Sequence, residues 1–452
     1  MEVRDVIQPV ERIPKVRHEF GAMLVGLCSG LSAILFHHMI AFADSTRFAL
    51  SDRFADCGIA VGLAIIACCG SLSAASIAMV RKLAPEAEGS GIAAVIAAYD
   101  QIGPVRAWRI VFVKFIGGFL AMAAGMPLGR EGPSVQIGAM SGVLAKNRFP
   151  LLLYRSRAIR LGAAGGLAAA FDAPLTAVVF TFEMLRQPFD KRNCVDTILV
   201  CAVADWVSRI TEGPRLELPL TVIGYPAFPM IIPVVAVALL TGGVSIVFQK
   251  AVLIFHKAFE RQFRSDRQAI IATFFVGCLL GILFLIRPDM LGVGRRLFNS
   301  ALTDRMTLTL AIAALAIRVP LTALCYATGA PGGLIVPTIL FGTLTGEAFC
   351  CATTLVWGKI SGDFHTVCLI AGMSAGLGAI FRIPLTSIVL TAEITGTFDR
   401  LLEISIAYVI AHSLLRRLRQ PDLYAALAQQ RILHELEMKV RHPEKPHMPK
   451  SR

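Results

Sequence analysis

The chain has 452 residues, of which 55% are hydrophobic and only 17% are charged, with a mean hydropathy of +0.66. A soluble protein would carry nearer a quarter charged residues, so a soluble globular class is excluded. The net charge of +13 does not indicate nucleic acid, because the basic residues collect at the two ends and in short loops.

The first 20 residues read as a polar segment carrying Arg4, Arg12, Lys15 and Arg17. Long, almost uncharged runs follow at Gly21–Ala43, Cys57–Val80, Met230–Phe248, Ala269–Ile286 and Val319–Gly346, with a shorter one at Met306–Ile317. Each suits a helix crossing about 30 Å of hydrocarbon, or a shorter helix packed inside protein. None alternates as barrel strands would, and lipid cannot satisfy exposed backbone, so the spans are expected to be helices. The first run begins too late and is too long for a secretory signal. After the last span, Arg416, Arg417, Arg419 and Arg431 set the cytoplasmic side by the positive-inside rule, as the N-terminal cluster does. Both termini are therefore expected in the cytoplasm, with an even number of crossings. The expected organisation is a cytoplasmic segment over 1–20, a first membrane repeat over 21–208, a second over 227–415, and a short basic tail over 416–452. The tail reads as a short amphipathic helix followed by disorder, with no soluble domain.

The eleven cysteines form no C-x-x-C pair and no spaced Cys/His set, so they read as small apolar side chains rather than metal ligands. His37 and His38 are adjacent, which points them to different sides of a helix and suggests a membrane-interface position.

An internal repeat organises the chain. Gly166–Glu183 (GLAAAFDAPLTAVVFTFE) and Gly376–Glu393 (GLGAIFRIPLTSIVLTAE) share ten of eighteen positions at a constant offset of 376 − 166 = 210. Phe171/Phe381, Pro174/Pro384, Thr176/Thr386 and Glu183/Glu393 match in register. A second block agrees at an offset of 204: Pro133, Gly138 and Gly142 with Pro337, Gly342 and Gly346. Duplicated membrane halves commonly place a substrate site where they meet, at the ends of broken helices. The repeat alone leaves open whether the halves are inverted or parallel.

Three Gly-rich segments interrupt apolar stretches: Gly89-Ser90-Gly91-Ile92, Gly129-Arg130-Glu131-Gly132-Pro133, and 329–337, GAPGGLIVP. Each reads as a helix start, with Pro tolerated in the first turn. Helix N-termini offer unpaired N–H groups and partial positive charge. Several aimed at one place make an anion site that still lets the ion leave. Close packing of small residues is the alternative reading for any one of them.

Together the three segments resemble the CLC chloride channels and chloride/proton exchangers. GSGIA at 89–93 is similar to that family's GSGIP, GREGP at 129–133 matches it, and GGLIVP at 332–337 is similar to GGxFxP. The order and spacing also match, and the similarity runs from about residue 20 to about 430. The resemblance implies an all-α integral membrane fold of two inverted repeats of tilted and broken helices. It also implies a homodimer with one pore per subunit, in the inner or plasma membrane, without CBS domains, enzymatic activity or a cofactor. Ser90 and Tyr424, the latter in 421–424 PDLY, would donate hydroxyls to a chloride ion. The backbone N–H groups of Leu334 and Ile335, with Gly132 alongside, would complete that site. Glu131 would be the gate, ionised when it occupies an anion position and released when protonated. Chloride in the pathway also disfavours its charged form. The alternative roles are a salt bridge to Arg130 for Glu131, a helix cap for Ser90, and an interfacial anchor for Tyr424.

The chain departs from the family where the exchangers usually carry a second, inner glutamate, which here is Met184. Glu183 beside it is either structural, hydrogen-bonded at a helix end, or a substitute proton carrier. Lys114 matches a basic position whose usual acidic neighbours look absent. It is expected to be neutral through burial or to face a wet cavity. The resulting expectation is chloride/proton exchange gated by Glu131, with chloride, protons, lipid and a second copy of the chain as partners. A passive chloride channel is the alternative, because of Met184. A fluoride exchanger comes third, since that branch carries Met where this chain has Ser90. A carrier of organic solutes would need charged or aromatic contacts in several spans. A membrane enzyme would need a constellation such as H-E-x-x-H, which is absent.

Overall fold

The computed structural model describes residues 15–430, except 54–57, 101–104, 152, 214–215, 221–229, 304–305, 359–360 and 428. The basic cluster at Arg4 and Arg12 and the tail beyond residue 430 lie outside the described residues. Among the described residues the regular structure is helical, apart from an isolated backbone bridge between Gly129 and Gly333. The first half contains α1 (Lys15–Arg53), α2 (Ile59–Leu83), α3 (Ile92–Tyr99), α4 (Ala107–Ala123), α5 (Glu131–Arg148), α6 (Arg155–Phe171), α7 (Pro174–Glu183) and α8 (Lys191–Glu212). The second contains α9 (Ile231–Gln262), α10 (Asp266–Ile286), α11 (Arg295–Leu302), α12 (Leu308–Ala327), α13 (Ile335–Trp357), α14 (Gly362–Phe381), α15 (Pro384–Thr395) and α16 (Leu401–Arg417).

The halves correspond helix by helix, and so does their packing. α1 packs on α5, α6 and α8, as α9 packs on α13, α14 and α16. α5 lies on α6 as α13 lies on α14. The glycines of the second repeat block explain that shared crossing. Gly138 sits against the Gly162 carbonyl, and Gly342 sits against that of Gly372, so close that a Cβ would overlap backbone. The halves meet through α2 with α10 and α7 with α15.

Among the described residues, seven helices are long and apolar enough to cross a membrane: α1, α2, α9, α10, α12, α13 and α14. Their surroundings differ. The apolar window of α14 is 94% buried, whereas those of α2 and α10 are 33% buried. The same apolar composition therefore packs α14 inside protein and leaves much of α2 and α10 facing outward.

The apolar run Val319–Gly346 is not one helix. α12 begins at Leu308, continues through Arg318 and Pro320, and ends at Ala327; α13 restarts at Ile335. Arg318 looks like a break in the sequence because it is charged. Within the fold it is wholly buried and donates to the carbonyls of Met290 (3.1 Å), Leu291 (3.4 Å) and Gly292 (2.8 Å). A buried cation is tolerated where its terminal donors are met in this way. The first helix also begins at Lys15, inside the segment expected to precede the spans.

Candidate anion site and its gate

The three Gly-rich segments come together and are tied by their own backbones. Gly129 and Gly333 exchange two hydrogen bonds of 2.7 Å, Gly89 N donates to Gly329 O at 3.2 Å, and Gly332 N donates to Gly89 O at 3.1 Å. Glycine is required at the contact. A Cβ on Gly132 would overlap the Ser90 hydroxyl. Gly91 has φ +85° with Gln136 against it, so any side chain there would be both strained and blocked.

From this knot start α3, α5 and α13, with Gly91, Arg130 and Leu334 at their N-caps. None of the three has a side-chain cap. Four other helices do carry one, Asp190 on α8, Ser265 on α10, Thr307 on α12 and Ser361 on α14, whereas α2, α4, α6, α9, α11 and α16 do not. The three uncapped ends are in the interior, with Ser90, Gly132, Leu334 and Ile335 all buried. Buried helix N-termini without a cap leave N–H groups for an anion.

Tyr424 reaches this point from the far end of the chain. Its hydroxyl donates to Ser90 Oγ at 3.1 Å, and its ring stacks on Phe381 with centroids 4.9 Å apart. Phe381 is the repeat residue equivalent to Phe171. Gln249 of α9 holds the Tyr424 segment in place, donating to the carbonyls of Ile380 (3.2 Å) and Pro421 (3.3 Å). Ser90 does not cap α3, whose N-cap is Gly91.

Glu131 is the first residue of α5 and is 1% exposed. Its Oε1 lies 3.6 Å from Arg130 Nε, and its Oε2 has no protein hydrogen-bond partner among the described residues. A cavity of about 520 Å3 leads to it, lined among others by His37, His38, Arg130, Glu212, Glu217 and Arg295. His37 and His38 do not point apart. Both approach Glu212 Oε1, at 3.7 and 3.6 Å, because long side chains one residue apart can converge on a single acceptor.

Glu183 lies at the end of α7 and accepts from Leu385 N (2.8 Å), Thr386 N (2.8 Å) and Thr386 Oγ1 (2.7 Å) at the start of α15. Glu393 returns the contact from α15, accepting from Leu175 N (3.0 Å), Thr176 N (2.8 Å) and Thr176 Oγ1 (2.7 Å) at the start of α7. Reciprocal contacts of this kind are those of a two-fold relation. The repeat thus preserves a mutual pair of helix caps. Met184 is partly buried and packs against the apolar core.

Lys114 is buried, as the first of its two expectations requires, and is corrected in one respect. It is wholly buried and does not line the cavity that leads to Glu131; its Nζ donates to Gly89 O at 2.6 Å. Nor is it without an acid, since Glu88 acts on it electrostatically. That acid precedes the Gly-rich motif instead of following it, and only folding brings it to Lys114. Among the described residues no cluster of His, Cys, Asp and Glu suits a metal ion. Sequence reasoning missed Arg318, Gln249, Glu217 and Glu88; all act over long range, and no local pattern marks them.

Comparison with known proteins agrees with this architecture. The family model described as voltage gated chloride channel matches residues 72–416. The H(+)/Cl(-) exchange transporter ClcA of Vibrio campbellii is 31% identical over 421 residues, which is 92% of this chain and 90% of that protein. The ClcA of Salmonella schwarzengrund is 33% identical over 418 residues, 90% of this chain and 87% of that protein. Among solved structures, a slow cyanobacterial Cl-/H+ antiporter has a TM-score of 0.85 at 24% identity, covering 95% of this chain and 99% of its own. A CLC-type fluoride/proton antiporter has a TM-score of 0.72 at 19% identity, covering 88% and 95%. At these identities the two structures speak for the fold.

Proposed function

The chain belongs to the voltage gated chloride channel family and has the CLC fold of two inverted helical repeats in a multi-pass membrane protein, and from that premise we propose that it exchanges chloride for protons. The observation that carries the reading is the convergence of three buried, uncapped helix N-termini on Ser90, Tyr424 and the Glu131 carboxylate. The hydroxyls of Ser90 and Tyr424 and the N–H groups of Gly132, Leu334 and Ile335 would hold chloride by partial charges. Such a site binds an anion without trapping it, as a full cation would.

A carboxylate is itself an anion suited to such a place. Ionised, Glu131 competes with chloride at the start of α5. Protonated, it loses the attraction of the helix end and leaves the pathway open. One group therefore answers to both ions, and chloride movement is linked to proton movement. The names of the ClcA relatives support exchange. On this reading the protein works as a homodimer in the inner or plasma membrane with both ends in the cytoplasm.

Glu183 is a cap in this scheme, and its carboxylate is fully engaged by α15. Lys114 serves by holding the Gly89 carbonyl and thereby the motif around Ser90. With Met184 unable to carry a proton, water would take the inner half of the proton route. Met184, packed in apolar surroundings, favours a second reading, a passive chloride channel with the same gate. Liposomes with a chloride gradient and no initial pH gradient separate the two. Exchange predicts that chloride flow drives protons uphill, and that Glu131→Ala abolishes the proton movement while chloride still flows. Rapid chloride flow with no linked pH change would establish a channel or an uncoupled carrier instead.

A further inference from the structure

The loop joining the two repeats carries an acid that touches the neighbour of the gate. Glu217 Oε1 accepts from Arg130 Nη2, which also donates to Ala170 O at 3.3 Å. The Nε of the same guanidinium lies 3.6 Å from Glu131 Oε1, an ion-pair distance, and has no hydrogen-bond partner among the described residues. Arg130 thus hydrogen-bonds Glu217 and stays at ion-pair but not hydrogen-bond distance from the gate. The described stretch around Glu217 is tied to α15, because Leu218 N donates to Ile394 O at 3.0 Å and Leu220 N to Thr395 O at 3.1 Å. Both acids line the cavity, but the Glu131 side chain is 1% exposed and that of Glu217 is 30% exposed, so Glu217 is the more open of the two.

We propose that Glu217 is a positioning residue for the gate: it draws the Arg130 guanidinium away from Glu131 and so sets the pH at which the gate opens. The proposal rests on the reading of Glu131 as a proton-released gate. Other charged groups face this region. Glu212 of α8 lies near Arg130 but also approaches His37 and His38. Asp44 of α1 binds Arg47 at 2.6 Å, and Asp172 after α6 approaches Arg209 at 3.6 Å. Arg295 of α11 lines the cavity. Glu217 is the acid hydrogen-bonded to Arg130. Without its charge, two effects act in one direction. Arg130 is released to close on Glu131 and hydrogen-bond it, and a nearby negative charge is lost. Both favour the ionised, closed gate.

The test is chloride efflux from liposomes against pH on the side to which the cavity opens. The intact protein should speed up as pH falls. Glu217→Gln, which keeps the side chain's size, should move the midpoint to more acid pH by about one unit, the usual scale for one close charge, and leave the acid-limit rate unchanged. Glu217→Asp should keep the midpoint near that of the unaltered protein. An unchanged midpoint in Glu217→Gln, or a rate lowered equally at every pH, would overturn the proposal and leave Glu217 as a pin for the loop. Glu131→Gln distinguishes the two failures. If it abolishes the pH dependence while Glu217→Gln shifts nothing, the gate stands and the role of Glu217 falls. If the pH dependence survives Glu131→Gln, the gate reading itself has failed.

Discussion

Replacing Glu183 with Gln tests whether this residue is a cap or a proton carrier. The carboxylate accepts three hydrogen bonds from the start of α15, all between 2.7 and 2.8 Å. Hydrogen bonds to a charged group contribute about 1.5–3 kcal/mol each. Glutamine keeps one carbonyl acceptor but turns an NH2 group toward a remaining donor, and it removes the charge that complements the helix end. The loss should be about 2–4 kcal/mol, with the lower half of that range favoured because Leu385 is exposed. Glu393→Gln should cost a similar amount, since Glu393 meets the equivalent three donors on α7. The caps lie at opposite ends of α7, so about 13 Å of helix separates them. At that distance the two losses should add to within about 0.5 kcal/mol. Unfolding in detergent, followed by the fluorescence of Trp108, Trp206 and Trp357, would measure both. Flux in liposomes would show whether Glu183→Gln still drives protons. A variant of undiminished stability that has stopped moving protons would refute the cap and make Glu183 the inner carrier.

Tyr424→Phe removes the hydroxyl bonded to Ser90 and should weaken chloride binding roughly fivefold, the equivalent of about 1 kcal/mol, in a calorimetric titration; unchanged affinity would place the phenol outside the site. Gly342→Ala sets a methyl group against the Gly372 carbonyl and should cost about 3 kcal/mol as α13 is forced from α14. Gly243→Ala, with open space around it, is the control, and the yield of folded protein on size-exclusion chromatography is the measure. Arg318→Met leaves the carbonyls of Met290, Leu291 and Gly292 without their buried donor and should lower stability by about 3 kcal/mol, again read from detergent unfolding.

Composition and repetition by themselves determined that this is a helical membrane protein of two related halves, because apolar length and register are local properties of a chain. GREGP and its companion motifs likewise pointed to the family and to Ser90, Glu131 and Tyr424. Folding decided what these residues touch. Val319–Gly346 reads as one apolar run, but GAPGG ends α12 and starts α13, while the charge that seemed to break α12 is satisfied by carbonyls from another segment. Glu183 and Glu393 repeat visibly, yet their reciprocal capping exists only once α7 and α15 are laid together. Lys114 finds Glu88, and Arg130 finds Glu217, through packing between elements distant along the chain. A hydrogen bond depends on angstroms of separation in space, and a repeat offset or a hydropathy run carries no information on that scale.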